Sequence, residues 1–139
     1  MVLKYPLRII YIKADGNKVK FFLLNGVVKV HKVMFREVKA CLNKKMFLQT
    51  HNSYIISTLF YLRMYLDTNN YKVELIEFLD ITLAMAKLPY DYSKIHLKGI
   101  VIPVGANFLD EVLLRKDQMA CNLMRRYKKR AKHILLYCS

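Results

Sequence analysis

Three extended segments separated by two tight-turn signals fill the stretch from Arg8 to His31, and no other feature of the sequence restricts the fold so strongly. Arg8-Ile9-Ile10-Tyr11-Ile12-Lys13-Ala14 is rich in β-branched and aromatic side chains, which suit a pleated, half-buried surface. It stops at Asp15-Gly16-Asn17 and resumes as Lys18-Val19-Lys20-Phe21-Phe22-Leu23-Leu24, whose early positions alternate polar and apolar. Asn25-Gly26, the strongest two-residue hairpin signal, then leads into Val27-Val28-Lys29-Val30-His31. The expectation is a β-meander.

From Val33 the period changes. Val33, Met34, Val38, Cys41 and Leu42 are spaced for one face of a short helix, with Arg36, Lys39 and Asn43 outside. Met46-Phe47-Leu48 leads into the polar stretch Gln49-Thr50-His51-Asn52-Ser53, and Tyr54-Ile55-Ile56 reads as a strand. Residues 61–66 and 71–78, joined by Asp67-Thr68-Asn69-Asn70, form a further predicted hairpin. Residues 79–93 fit either a strand or a short helix, with Pro89 and Asp91 marking an exposed loop. A last hairpin is expected from Ile95-His96-Leu97 and Ile100-Val101-Ile102, ending at Pro103. Asn107 stands where an N-cap belongs, with Asp110 and Glu111 in the first turn, and apolar residues from Phe108 to Leu135 recur at a helical period. One long helix, or two with a kink near Asp117, is therefore expected over residues 108 to 136.

A chain of 139 residues that is 55% hydrophobic can bury a single core and lacks the low-hydropathy signature of disorder. Its net charge of +14 calls for an anionic partner, nucleic acid or an acidic membrane surface. The charge is uneven: residues 1–50 carry 11 basic against 2 acidic side chains, residues 51–100 carry 5 of each, and residues 101–139 carry 8 against 3. Cys41, Cys121 and Cys138 share no C-x-x-C spacing, which suits neither a disulfide framework nor structural zinc. Reduced thiols in a cytoplasmic protein are expected, without membrane insertion, because no apolar run approaches the roughly 20 residues of a span and no secretory leader is evident at Met1.

The order of these blocks resembles the LytTR family of DNA-binding domains, which serve bacterial transcription regulators. The resemblance rests on Ile10-Tyr11-Ile12 with Ala14-Asp15-Gly16-Asn17, on Phe47 followed by His51-Asn52-Ser53-Tyr54-Ile55-Ile56, and on Ile102-Pro103-Val104 before a helix. It implies a mainly β (α+β) fold: a β-meander and β-sandwich with a short helix after the third strand and a long basic C-terminal helix. It further implies a domain over residues 1–116, with residues 117–139 as a basic helical extension of it. In the family, loops rather than a recognition helix face the major grooves of DNA. Members are often output halves of response regulators; here the domain is expected to stand alone, with any sensor or receiver a separate protein. The arginine that the family carries after its I-P-V element is replaced by Gly105-Ala106-Asn107, and residues 79–93 resemble an insertion.

The resemblance places Asn17 and Lys18 in a first contact loop, with Lys20 just beyond, and His51, Asn52 and Ser53 in a second. An Asn amide matches the N7 and N6 edge of adenine bidentately. The alternative for Asn52 is that it closes a turn by bonding its own backbone. His51 either contacts a phosphate or ties the loop to a neighbouring carbonyl, and Lys18 either contacts a phosphate or merely flanks the turn. Asn107 occupies the third contact loop. In the tail, six Lys or Arg lie between Arg125 and Lys132, among them Arg126, Lys128 and Lys129, with no acid. Such like charges repel on a helix unless an anion relieves them, so phosphate binding competes with a plain exposed face and with a membrane surface.

Catalysis finds little in this sequence. The phosphate-loop, zinc-protease and nucleophile-elbow motifs are missing, and His31, His51, His96 and His133 stand singly with no Cys or carboxylate at metal spacing. Glu74 and Glu77 would face opposite sides of a strand. No metal, cofactor or enzymatic role is expected. The expected function is sequence-dependent binding of duplex DNA by a cytoplasmic transcriptional regulator. The competing expectation is a protein-interaction module on a degenerate LytTR-like scaffold, self-associating into a homodimer through its C-terminal helix.

Overall fold

The computed structural model describes residues 6–76 and 99–120. A 3-10 turn (Pro6–Arg8) leads into β1 (Ile9–Asp15) and β2 (Lys18–Leu23), and a second one (Leu24–Gly26) into β3 (Val28–His31). Next come α1 (Phe35–Cys41), β4 (Phe47–His51), β5 (Tyr54–Ser57), a 3-10 turn (Thr58–Phe60), β6 (Tyr61–Asp67) and β7 (Asn70–Leu75). After residue 98 the chain continues as β8 (Ile100–Pro103), a 3-10 turn (Ala106–Phe108) and a helix, α2, over residues 109–120. Five strands form one antiparallel sheet in the order β3-β2-β1-β5-β4, and three form another in the order β6-β7-β8. The mainly β expectation holds.

The five-stranded sheet is covered on both faces. On one, Ile12, Val19, Phe21, Phe47 and Ile55 bury against Val38 of α1, with Val33, Phe35 and Leu42 beside it. Expected partners Met34 and Cys41 are instead exposed, because the helix starts at Phe35 and its apolar stripe runs through residues 35, 38 and 42. With seven residues and no side-chain cap at Met34, α1 is held by this packing rather than by its own propensity.

On the other face, Ile10, Leu48 and Ile56 join Tyr61, Val73, Leu75 and Ile102 of the second sheet and Val112 and Met119 of α2 in one core. Each fully buried Ile or Leu contributes about 1.5–3 kcal/mol relative to exposure. The link between the sheets, Thr58–Phe60, is buried, so its polar groups are satisfied internally: the Leu59 amide donates to Ser57 Oγ and the Thr58 hydroxyl to the Met46 carbonyl. Helix α2 runs unbroken past residue 117, and Met119 lies 2% exposed in the core.

Two local expectations are revised. The Asn25-Gly26 connection is not a two-residue turn, since a 3-10 turn over Leu24–Gly26 separates β2 from β3 and the Leu23 amide donates to the Val27 carbonyl at 2.7 Å. Leu24 packs against the larger core, which pulls the chain out of the ladder. Asn107 is not an N-cap, because it lies inside the 3-10 turn that precedes α2 and the extended residue before that turn is Gly105. Of the predicted last hairpin, the second arm is present as β8, which pairs with β7, Ile102 opposite Val73. Its first arm, the 79–93 segment, Glu77 and residues beyond 120, including Arg125, Arg126, Lys128 and Lys129, lie outside the described residues.

Candidate nucleic-acid interface

Strand β1 lies between β2 and β5, antiparallel to both. That topology sends the β1–β2 turn and the β4–β5 turn to the same edge of the sheet. Gly16 and Asn17 make the first turn, with Asp15 opposite Lys18 and a φ of 61° at Gly16, a value glycine adopts without steric cost. Asn52 and Ser53 make the second, and the Ala14 amide donates to the Ser53 carbonyl at 2.8 Å, binding the two turns together.

A third segment joins them from the other sheet. After β8, the Val104 amide donates to the Tyr71 carbonyl at 3.0 Å and the Gly105 amide to the Thr50 carbonyl at 2.8 Å. Residue 105 packs closely there: a Cβ would stand 3.5 Å from His51 Cδ2, an ordinary contact, and 3.3 Å from Phe108 Cδ2. Asn107 is thereby held next to the β4–β5 turn. Asn17, Asn52 and Asn107 are all exposed, and none of their amides hydrogen-bonds another described residue.

The β4–β5 turn is closed by its neighbour rather than by Asn52. His51 Nδ1 accepts from the Ser53 amide at 3.1 Å, and the Gln49 side-chain amide donates to the His51 carbonyl at 3.0 Å. The imidazole also meets Tyr54 edge to face, centroids 5.7 Å apart. His51 therefore ties the loop through an amide, not through the carbonyl that its sequence context had offered. β4 bulges here, its register jumping between Gln49 and His51. The bulged residue, Thr50, is fully buried, and its hydroxyl has no hydrogen-bond partner among the described residues.

Beneath the turns lies an aromatic row that the sequence reading missed. Tyr11 stacks on Phe22 at 4.1 Å and 6°, Tyr54 lies 6.4 Å beyond Tyr11, and Lys13 Nζ sits 5.6 Å above the Tyr54 ring. The available signal was alternation: Tyr11 and Lys13 share a face of β1, and register puts Tyr54 opposite Lys13. Burial and the neighbouring Tyr54 hold the Tyr11 phenol above its ordinary pKa.

Of the basic side chains placed here, Lys18 is exposed at the start of β2. Lys20 is paired with Asp15 across the turn, Nζ to Oδ2 3.0 Å. That hydrogen bond, then the charges of Lys20, Lys13 and Lys18, holds the Asp15 carboxyl below its ordinary pKa. Lys20 thus neutralises the carboxylate that the described residues place beside these turns. No group of three or more potential metal ligands is found among the described residues, and no helix among them is long and apolar enough to cross a membrane.

The arrangement is an edge of polar loop tips over a rigid aromatic and β-sheet base, rather than an enclosed pocket. In fold, the chain is similar to the LytTr DNA-binding domain of a protein from Bacillus cereus described as a methyl-accepting/DNA response regulator. The identity is 18%, the match covers 80% of this chain and 81% of that one, and the TM-score is 0.56. No curated protein matches the chain significantly. The family profile of the LytTr DNA-binding domain matches residues 2–89, a stretch that includes the five-stranded sheet with its β1–β2 and β4–β5 turns, and the chain belongs to the LytTR family of DNA-binding domains.

Proposed function

We propose that this chain binds duplex DNA in a sequence-dependent manner, its loop tips entering the major groove, and acts as a transcriptional regulator. The supporting observation is the convergence of the Asn17, Asn52 and Asn107 tips on one edge, with no side-chain amide among them engaged by a described residue and Asn52 released from turn closure by His51. Lys18 and Lys13 supply cationic charge beside these tips, and Asp15, the adjacent acid, is already paired with Lys20. Ser53, half-buried and bound through its carbonyl to Ala14, fixes the loop and leaves its hydroxyl near the groove edge. In this reading, residues 117–139 extend the 1–116 domain, and Arg125, Arg126, Lys128 and Lys129 neutralise phosphates without reading sequence.

Fluorescence polarisation with duplex DNA across a salt series tests the proposal. Binding should weaken linearly in log–log terms, by about 0.9 in slope per neutralised phosphate. Replacing Arg125, Arg126 and Lys128 with Gln should weaken all duplexes alike, whereas Asn52→Ala should narrow the difference between sequences. Absence of binding, or binding indifferent to salt, refutes it.

A second reading, self-association through the C-terminal helix, draws on Leu113 and Leu114 of α2, which are 37% and 78% exposed. Light scattering on the chain and on Leu114→Glu separates it: a monomer in both excludes dimerisation through this face.

A further inference from the structure

Resting on the DNA-binding reading, we infer that the base-reading groups are the amides of Asn17, Asn52 and Asn107, and that the preferred major groove presents adenines rather than guanines. The three converging tips carry no arginine: residues 15–18 read Asp-Gly-Asn-Lys, residues 51–54 His-Asn-Ser-Tyr, and residues 104–108 Val-Gly-Ala-Asn-Phe. Guanine is read in the major groove by a bidentate cation, most often arginine, whereas adenine presents an N7 acceptor beside an N6 donor, the complement of one carboxamide. An amide offers both an acceptor and a donor in one plane, so it matches adenine with two bonds and guanine, which shows only acceptors there, with one.

The three lysines near the tips do not supply guanine readout at three positions. Lys13 lies over the Tyr54 ring, and Lys20 is paired with Asp15. Among the described residues Lys18 is the cation left exposed on the tips, a flexible point charge that meets a phosphate or a single guanine but not a row of them.

Spacing supports simultaneous use. Neighbouring strands stand about 4.8 Å apart, so the β1–β2 and β4–β5 turns, two strand positions apart, are separated by roughly 10 Å, and the 105–107 segment lies another strand position beyond. The tips then span roughly 15 Å, which at about 3.4 Å per base step is four to five base pairs. Three adenines could be met within half a helical turn. The rigid base limits the entropy lost on contact, because the turns are already bonded to each other through Ala14–Ser53 and Thr50–Gly105.

The test uses the full chain and three duplexes of roughly 20 base pairs, about two turns of B-DNA. One is alternating dA·dT; another is the same with 7-deaza-adenine at every adenine, which deletes the N7 acceptor and keeps base pairing; the last is alternating dG·dC. Tighter binding to dA·dT than to dG·dC is expected, by roughly 5-fold to 150-fold per well-made amide pair. The 7-deaza duplex should lose at least about 5-fold, and Asn17→Ala, Asn52→Ala and Asn107→Ala should each lose part of the dA·dT preference while melting at an unchanged temperature.

Equal affinity for all three duplexes, or a preference for dG·dC, with binding still weakened by salt, overturns the adenine assignment and leaves DNA binding standing. No binding to any of the three overturns both.

Discussion

His51→Ala distinguishes a residue that holds the β4–β5 turn in place from one that touches DNA. The substitution deletes the Nδ1 acceptor of the 3.1 Å bond from the Ser53 amide, the edge contact to Tyr54 and the surface on which Gly105 rests. A neutral hydrogen bond contributes about 0.5–1.5 kcal/mol net, at the lower end here because Ser53 retains some access to water. An edge-to-face ring contact adds about 0.5–1.5 kcal/mol. The expected loss is therefore about 1–2 kcal/mol, or a melting temperature roughly 3–7 °C lower for a chain of this size. Urea denaturation gives the stability term, and polarisation titrations across a salt series give the functional one. If His51 acts by holding the loop, affinity falls while the log–log salt slope stays that of the parent. If it contacts a phosphate, the slope becomes shallower by about 0.9. Unchanged stability together with a shallower slope would refute the positioning role. His51→Asn, which keeps a short-range acceptor for the Ser53 amide, should recover part of the stability if the turn tolerates it.

Thr68 holds a φ of 55° in the two-residue β6–β7 turn, a left-handed conformation that is costly for a β-branched residue. Thr68→Gly should raise stability by about 0.5–1 kcal/mol after the entropic cost of glycine, and a lower urea midpoint would contradict the strain. At Gly99, a Cβ would fall on Cγ, Cδ and Oε1 of Glu74, a buried carboxylate paired with Arg63. Gly99→Ala should cost about 2 kcal/mol, discounted from the cost of breaking a fully buried pair because Arg63 is partly exposed; the same change in a Glu74→Ala background should cost far less. Burial, then the nearby Asp117 charge, raises the Tyr61 phenol above its ordinary value of 10.0. The unfolded chain loses this proton first, so stability is full below pH 10 and declines as pH rises above it, and Tyr61→Phe should flatten the alkaline limb of a pH–stability curve.

What could be read from the linear chain was whatever depends on neighbours a few residues apart. Strand alternation, the glycine at 16 and the Asp67–Asn70 turn specify hairpins locally, and the two hairpins appear at β1–β2 and β6–β7. The α1 expectation was right in place and wrong in detail, because whether Met34 or Phe35 opens the stripe depends on which side chain the sheet can cover. The Asn25-Gly26 signal was overridden for the same reason, with Leu24 drawn toward a core built by distant residues.

The sequence by itself determined a mainly β chain, a strong positive charge and a polar tip at residues 51–53, since composition and two-residue periodicity are properties of the chain before it folds. Only the tertiary structure decided that tips near residues 17, 52 and 107 share one edge. That outcome depends on β5 inserting beside β1, and on Gly105 reaching Thr50 from the second sheet. Both are pairings between segments far apart in sequence, whose register is selected by burying Ile10, Ile56, Val73 and Ile102 in one core rather than by any local signal.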